Sequence, residues 1–354
     1  MKSTKTVNLF LALALGSVAA GCADQPVDAG DGGGDGGGGD GGGGGGGDEE
    51  RPPTDAAGTY ELQSKFDLAG SVPGKAGEVV NLIIAMTDDP DDPALWILDQ
   101  AISAMPSGFL KSALQSAKPF VAGILNDSLL ELAPDYVPIA VQLANDFGQM
   151  AKGLGLNEQL EVTGAPGAYT SKLTVVGAHF KIDNLESDHA FADHDAPEVV
   201  VDPVGVTLDT KSKLGIGEHQ VAVSYGKILR MGLDAAIVPM LEPSAHSLNE
   251  LLASKVNCAL LGQLVAAAVG LGGSSTYSSA CTAGLNKGAD YVYSKIATVD
   301  GTALRFGLTG TARAIDKDRN GSVDSIVTGA WTGDISYGPI PAPLSGATFF
   351  GARK

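Results

Sequence analysis

The chain reads as an α+β protein: an antiparallel sheet with segregated amphipathic helices and a helical hairpin pinned by a disulfide. Three observations predict this. Apolar residues recur at helical spacing in two separate blocks and at period two around and between those blocks. The resulting order is strand, helices, strands, helices, strands, which differs from the regular alternation of a doubly wound α/β fold. Cys258 and Cys281 fall on consecutive helical segments of the second block.

Thr59–Leu68 alternates and reads as a strand. Asp92 then offers an N-cap with Pro93 at the first helical position, and Leu95, Leu98, Ile102 and Met105 follow on one face. Leu110, Leu114, Ala117, Val121 and Leu125 form a second stripe, which Pro119 kinks or splits. Ile139, Leu143, Phe147, Met150 and Leu154 form a third, ended by Gly153 and Gly155. From Leu160 the period changes to two: Leu160–Thr163, Ser171–Ile182, Glu198–Leu208 and His219–Ser224 read as strands. Helical spacing returns over Ile228–Leu241 and Leu248–Val269, and after Gly270–Ser275 over Ala280–Ala297. Ala303–Ile315, Asp324–Trp331 and Ala347–Gly351 close the chain as strands. Residues 58–354 are enough for a sizeable core, in one domain or in two subdomains with a boundary near 240.

The first 22 residues are of another kind. Lys2 and Lys5 precede an apolar run from Leu9 to Leu15, and Val18-Ala19-Ala20-Gly21-Cys22 ends it in small residues ahead of a cysteine. A run this short with these flanks is a processed export signal. It resembles the lipobox signal of bacterial lipoproteins, with Ala19 where that pattern prefers Leu. The resemblance implies cleavage after Gly21, lipidation of Cys22 and a membrane partner reached through the lipid. Ala23 implies the outer membrane, by likeness to enterobacterial sorting. Behind Cys22, Gly30–Gly47 consists of 15 glycines and 3 aspartates. Such a run builds no core, so residues 22–57 read as a disordered tether with an r.m.s. span of roughly 33 Å.

Net charge is −18 overall, and 20 basic against 32 acidic residues leave −12 from Gly58 onward. This excess disfavours phosphate backbones, so no nucleic-acid partner is expected, and cations are the more natural small partners. With Cys22 assigned to lipid, Cys258 and Cys281 remain as an even pair in an exported chain, which predicts a disulfide.

Asp316-Lys-Asp318-Arg-Asn320-Gly-Ser322-Val-Asp324 matches the first nine positions of an EF-hand-type loop. Asp316, Asp318, Asn320, Ser322 and Asp324 are its candidate Ca²⁺ ligands. Val327 stands where the bidentate Glu would be, and the flanks read as strands. The competing reading is a plain hairpin turning at Asn320-Gly321. Asp188–Asp195 gathers two His and three carboxylates, but strand alternation puts His189 and His194 on opposite faces, which favours a polar loop. Asp88–Pro93 suits an acidic turn. Gly70–Ala76 is one residue short of a P-loop. The chain has no G-x-S-x-G, H-E-x-x-H or C-x-x-C. No catalytic residue is assigned. The expected function is a membrane-anchored envelope lipoprotein with a non-catalytic interaction or ligand-binding domain, an apolar ligand included. The alternatives are a hydrolase acting on an envelope or external polymer and a structural or adhesion role.

Overall fold

Side chains along Gly58–Asp67 and Leu304–Ile315 alternate between buried and more exposed, as half-buried strands require. The computed structural model describes residues 52–68, part of 99–118, and 136–354 except 271 and 340. Its strands are β1 (Gly58–Asp67), β2 (Gly153–Ala165), β3 (Ala168–Ile182), β4 (Leu185–Ala190), β5 (Val199–Leu208), β6 (Lys213–Val223), β7 (Leu304–Ile315), β8 (Ser325–Tyr337), β9 (Pro341–Pro343) and β10 (Thr348–Arg353). Eight of them form a closed antiparallel barrel in the order β1-β2-β3-β5-β6-β7-β8-β10, with β10 returning to β1. β4 and β9 lie outside the ring, on β3 and β8. The mixed α+β class holds; barrel closure is the feature the sequence reading did not foresee. Closure removes the edge strands that an open sheet would expose.

The barrel interior is filled by side chains. Phe66 and Phe306 meet with ring centres 4.5 Å apart, and Trp331 stacks on Phe349 at 4.2 Å. Gly310 pairs with Trp331 across β7 and β8, and a Cβ there would collide with the indole. Glycine at that position is therefore what admits the tryptophan.

Helices occupy two of the connections. α1 (Tyr136–Lys152) buries Leu143, Phe147, Met150 and Ala151, four residues of one stripe. Leu154 was expected to extend that stripe, but the helix stops at Lys152 and Leu154 is buried on β2 instead. The reason is pairing: β1 runs antiparallel to β2 from Gly58↔Val162 to Asp67↔Gly153 and draws those residues into the wall. Between β6 and β7 come α2 (Tyr225–Met231), a π-helical stretch (Gly232–Ile237), α3 (Val238–Leu241), α4 (Leu248–Lys255), α5 (Cys258–Val269) and α6 (Ser274–Val299). The expected helix from Leu248 to Val269 is thus broken. Asn257 caps a new start, its side chain accepting from Leu260 N at 3.1 Å. The Ser247 hydroxyl likewise accepts from Glu250 N at 3.3 Å to begin α4.

One continuous core joins barrel and helices, from Phe66 and Phe306 to Phe147, Leu233 and Ile296. A second, smaller cluster joins Ile102, Met105 and Leu114 to Val265 and Tyr277 on the α5–α6 hairpin. The expected helices of 92–125 lie largely outside the described residues.

Cys258 and Cys281 are bonded, with Cα atoms 5.5 Å apart. Cys258 opens α5 and Cys281 is buried on α6, so the bond pins the predicted helical hairpin. On the chain-entropy view, a cross-link over a sequence separation of 23 stabilises by about 3 kcal/mol. The double variant Cys258→Ala/Cys281→Ala is expected to lose about that much in urea unfolding; no loss would mean that the bond constrains nothing.

Candidate functional site

The Asp316–Asp324 loop joins β7 to β8. The two strands stop at the Ile315–Ser325 pair, so Asn320-Gly321 sits within a long loop and not in a two-residue hairpin turn. Carboxylate oxygens of Asp316, Asp318 and Asp324 all lie within 4.8 Å of one another, the one such His/Cys/Asp/Glu cluster among the described residues. Backbone donors hold them in place. Asp316 accepts from Asn320 N at 3.1 Å and Gly321 N at 2.7 Å. Asp324 Oδ2 accepts from Lys317 N at 2.7 Å and Asp318 N at 3.2 Å. Gly321 has φ +92°, a conformation that side-chain-bearing residues rarely adopt. Asn320 Oδ1 accepts from Ser322 N at 2.7 Å and its Nδ2 donates to Asp318 at 2.8 Å. Of the five predicted ligands, three carboxylates therefore converge, and Asn320 and Ser322 brace the loop.

The loop also grips the chain just ahead of β1. Gly321 O accepts from Thr54 N at 2.8 Å and Asp55 N at 2.9 Å, and Val323 N donates to Asp55 O at 3.0 Å. Arg353 fastens the same junction, Nε to Val323 O at 2.7 Å and Nη2 to Ala57 O at 2.8 Å. Tyr169 completes it by donating to Asp55 Oδ1 at 2.9 Å and accepting from Ala56 N at 3.0 Å.

A polar layer inside the barrel escaped the sequence reading. Trp331 Nε1 donates to Ser64 Oγ at 2.9 Å, and Ser64 donates to Glu158 Oε2 at 2.7 Å. His219 meets the edge of Trp331 with ring centres 5.5 Å apart and engages Gly217 O through Nδ1 at 2.8 Å. Glu158 Oε1 and His219 Nε2 have no hydrogen-bond partner among the described residues. Burial pushes the Glu158 carboxyl up to about 7, against the opposing Ser64 hydrogen bond. Burial pushes His219 below the usual imidazole range. A signal was present: with β2 begun at Gly153, Leu154, Leu156, Glu158, Leu160 and Val162 fall on one face. Ser64, Glu158, His219 and Trp331 are all buried.

The Asp188–Asp195 segment, expected as a polar loop, begins in a strand and continues as a turn. β4 ends at Ala190, and Phe191–His194 forms a 3₁₀ turn. Asp188 bonds His179 Nδ1 at 3.0 Å across the β3–β4 hairpin and also accepts from Asn157 Nδ2 at 2.7 Å. Cys22, the glycine tether, Gly70–Ala76 and Asp88–Pro93 lie outside the described residues.

No family model matches the chain, and neither the curated proteins nor the solved structures contain a match.

Proposed function

We propose that this protein is a lipid-anchored envelope protein whose barrel is a non-catalytic interaction module, with Ca²⁺ held by the Asp316–Asp324 loop. The observation that carries the reading is the grip of that loop on residues 54–55, where the tether would enter the barrel. A cation neutralising Asp316, Asp318 and Asp324 would stiffen the loop and, through Gly321 O and Val323 N, fix the point at which the anchor meets the fold. The packed interior favours contact through the outer wall over an enclosed apolar ligand. An open cleft of about 590 Å³ on that wall is lined by Gln63, Asn157, Lys317 and the exposed Phe350. Lipidation of Cys22 supplies the membrane attachment, and the outer membrane is the proposed location.

Two measurements test this. With a dissociation constant on the order of 10⁻³ M, Ca²⁺ at about 10 mM is expected to stabilise the fold by about 1.4 kcal/mol. Asp316→Asn is expected to abolish that gain, and protection of residues 52–57 from proteolysis should rise with Ca²⁺ in the unmodified chain alone. Absence of any shift removes the calcium reading. Separately, Cys22→Ser is expected to move the protein from the membrane fraction to the soluble fraction of cells; retention on membranes removes the anchor.

A further inference from the structure

The turn after β4 undoes the separation that strand alternation would impose on its two histidines. Because the chain leaves the strand at Ala190 and coils through one 3₁₀ turn, His194 swings back toward His189. Their ring centres are 5.5 Å apart at an interplanar angle of 65°. With Zn–N bonds of about 2.0–2.1 Å, two imidazoles sharing one ion place their ring centres roughly 5–6 Å apart, which brackets that separation.

The surroundings hold both rings ready. Phe191, between them in sequence, is buried in the core and anchors the turn. Ala196 N donates to Phe191 O at 3.1 Å, and Lys227 Nζ donates to Asp195 O at 2.7 Å, closing the turn on its far side. The His189 ring lies 5.6 Å from Phe180, and its Nε2 is engaged by the Ser187 hydroxyl at 3.1 Å. That contact fixes the ring and leaves Nδ1 as the open nitrogen, the role a supporting hydrogen bond plays for a ligating histidine. His194 makes no hydrogen bond among the described residues. Asp193 and Asp195 on the same turn contribute negative charge.

We propose that His189 and His194 form a two-imidazole site for a borderline divalent transition-metal ion, of which zinc is the reference case. Neutral imidazole suits Zn²⁺, Cu²⁺ and Ni²⁺ and serves Ca²⁺ poorly. The site is therefore chemically distinct from the all-oxygen Asp316–Asp324 loop and stands whether or not that loop binds calcium. Water would complete the coordination.

The test is calorimetric titration of the chelator-treated full-length chain with ZnCl₂ in the presence of excess Ca²⁺. One saturable site is expected. His189→Ala and His194→Ala should each weaken it at least tenfold, while His246→Ala and Asp318→Asn leave it unchanged. Side-chain ¹⁵N spectra of the unmodified protein provide a reading that needs no variant: Zn²⁺ should shift the imidazole nitrogens of both His189 and His194. Undiminished binding in either alanine variant, unshifted imidazoles, or no binding at millimolar Zn²⁺ would overturn the proposal.

Discussion

Replacing Trp331 with alanine is expected to cost about 3–5 kcal/mol of folding stability, the range for truncating a buried tryptophan. The indole is 3% exposed, stacks on Phe349, meets His219 edge-on and donates to Ser64. Its removal would leave a void bordered by Gly310, which has no side chain to lean into it. It would also free Ser64 from the bond that orients its hydroxyl toward Glu158. Denaturant unfolding should show the midpoint falling with little change in slope. Trp331→Phe separates the contributions: it keeps an aromatic ring against Phe349 and loses the Nε1 bond, so about 1 kcal/mol of the loss should be attributable to that bond. A Trp331→Ala loss under about 1 kcal/mol would mean that the barrel interior is not packed as described.

Glu158 is expected to make stability fall as pH rises. Its folded pKa, about 7, lies above the reference 4.5. The folded protein therefore holds a proton that the unfolded chain releases, and stability declines between pH 4.5 and about 7 before levelling. The displacement corresponds to about 3 kcal/mol. Glu158→Gln keeps an acceptor for Ser64 and has no charge to desolvate. It should match the parent near pH 4.5 and exceed it by up to about 3 kcal/mol above pH 7. His219 acts in the opposite direction: its depressed pKa adds stability that is lost as pH falls through and below about 6.5. The difference between parent and Glu158→Gln isolates the carboxyl, because His219 is common to both. Parallel stability curves across pH 5–8 would show that Glu158 ionises freely in the fold.

How much of this was legible depends on the range of the interaction. The disulfide was, because only Cys258 and Cys281 remained once Cys22 was set aside. The Asp316–Asp324 pattern was visible as spacing within nine residues. Its grip on Thr54 and Asp55 was not, since nothing local marks a contact between positions 267 apart. Periodicity reports which face of a strand is buried but not which strand lies beside it, so the sheet was foreseen and its closure was not. Glu158 stayed hidden because β2 was begun at Leu160, which left the acid in a helix-ending loop. Strand alternation, which would set His189 and His194 on opposite faces, does not reach His194, because the strand ends at Ala190 and a 3₁₀ turn follows.

Closure through β10 has a consequence for the order of events during synthesis. β1 is the first barrel strand to leave the ribosome and β10 the last, yet they pair from Tyr60↔Arg353 to Lys65↔Thr348. Arg353 also reaches Tyr60 Oη at 3.3 Å from 293 positions away. Until β10 emerges, β1 and β8 each lack a neighbour, and the ring cannot shut. Loop closure over such a distance is slow relative to local structure. The ring therefore stays open for nearly the whole of synthesis and locks only when its final strand arrives.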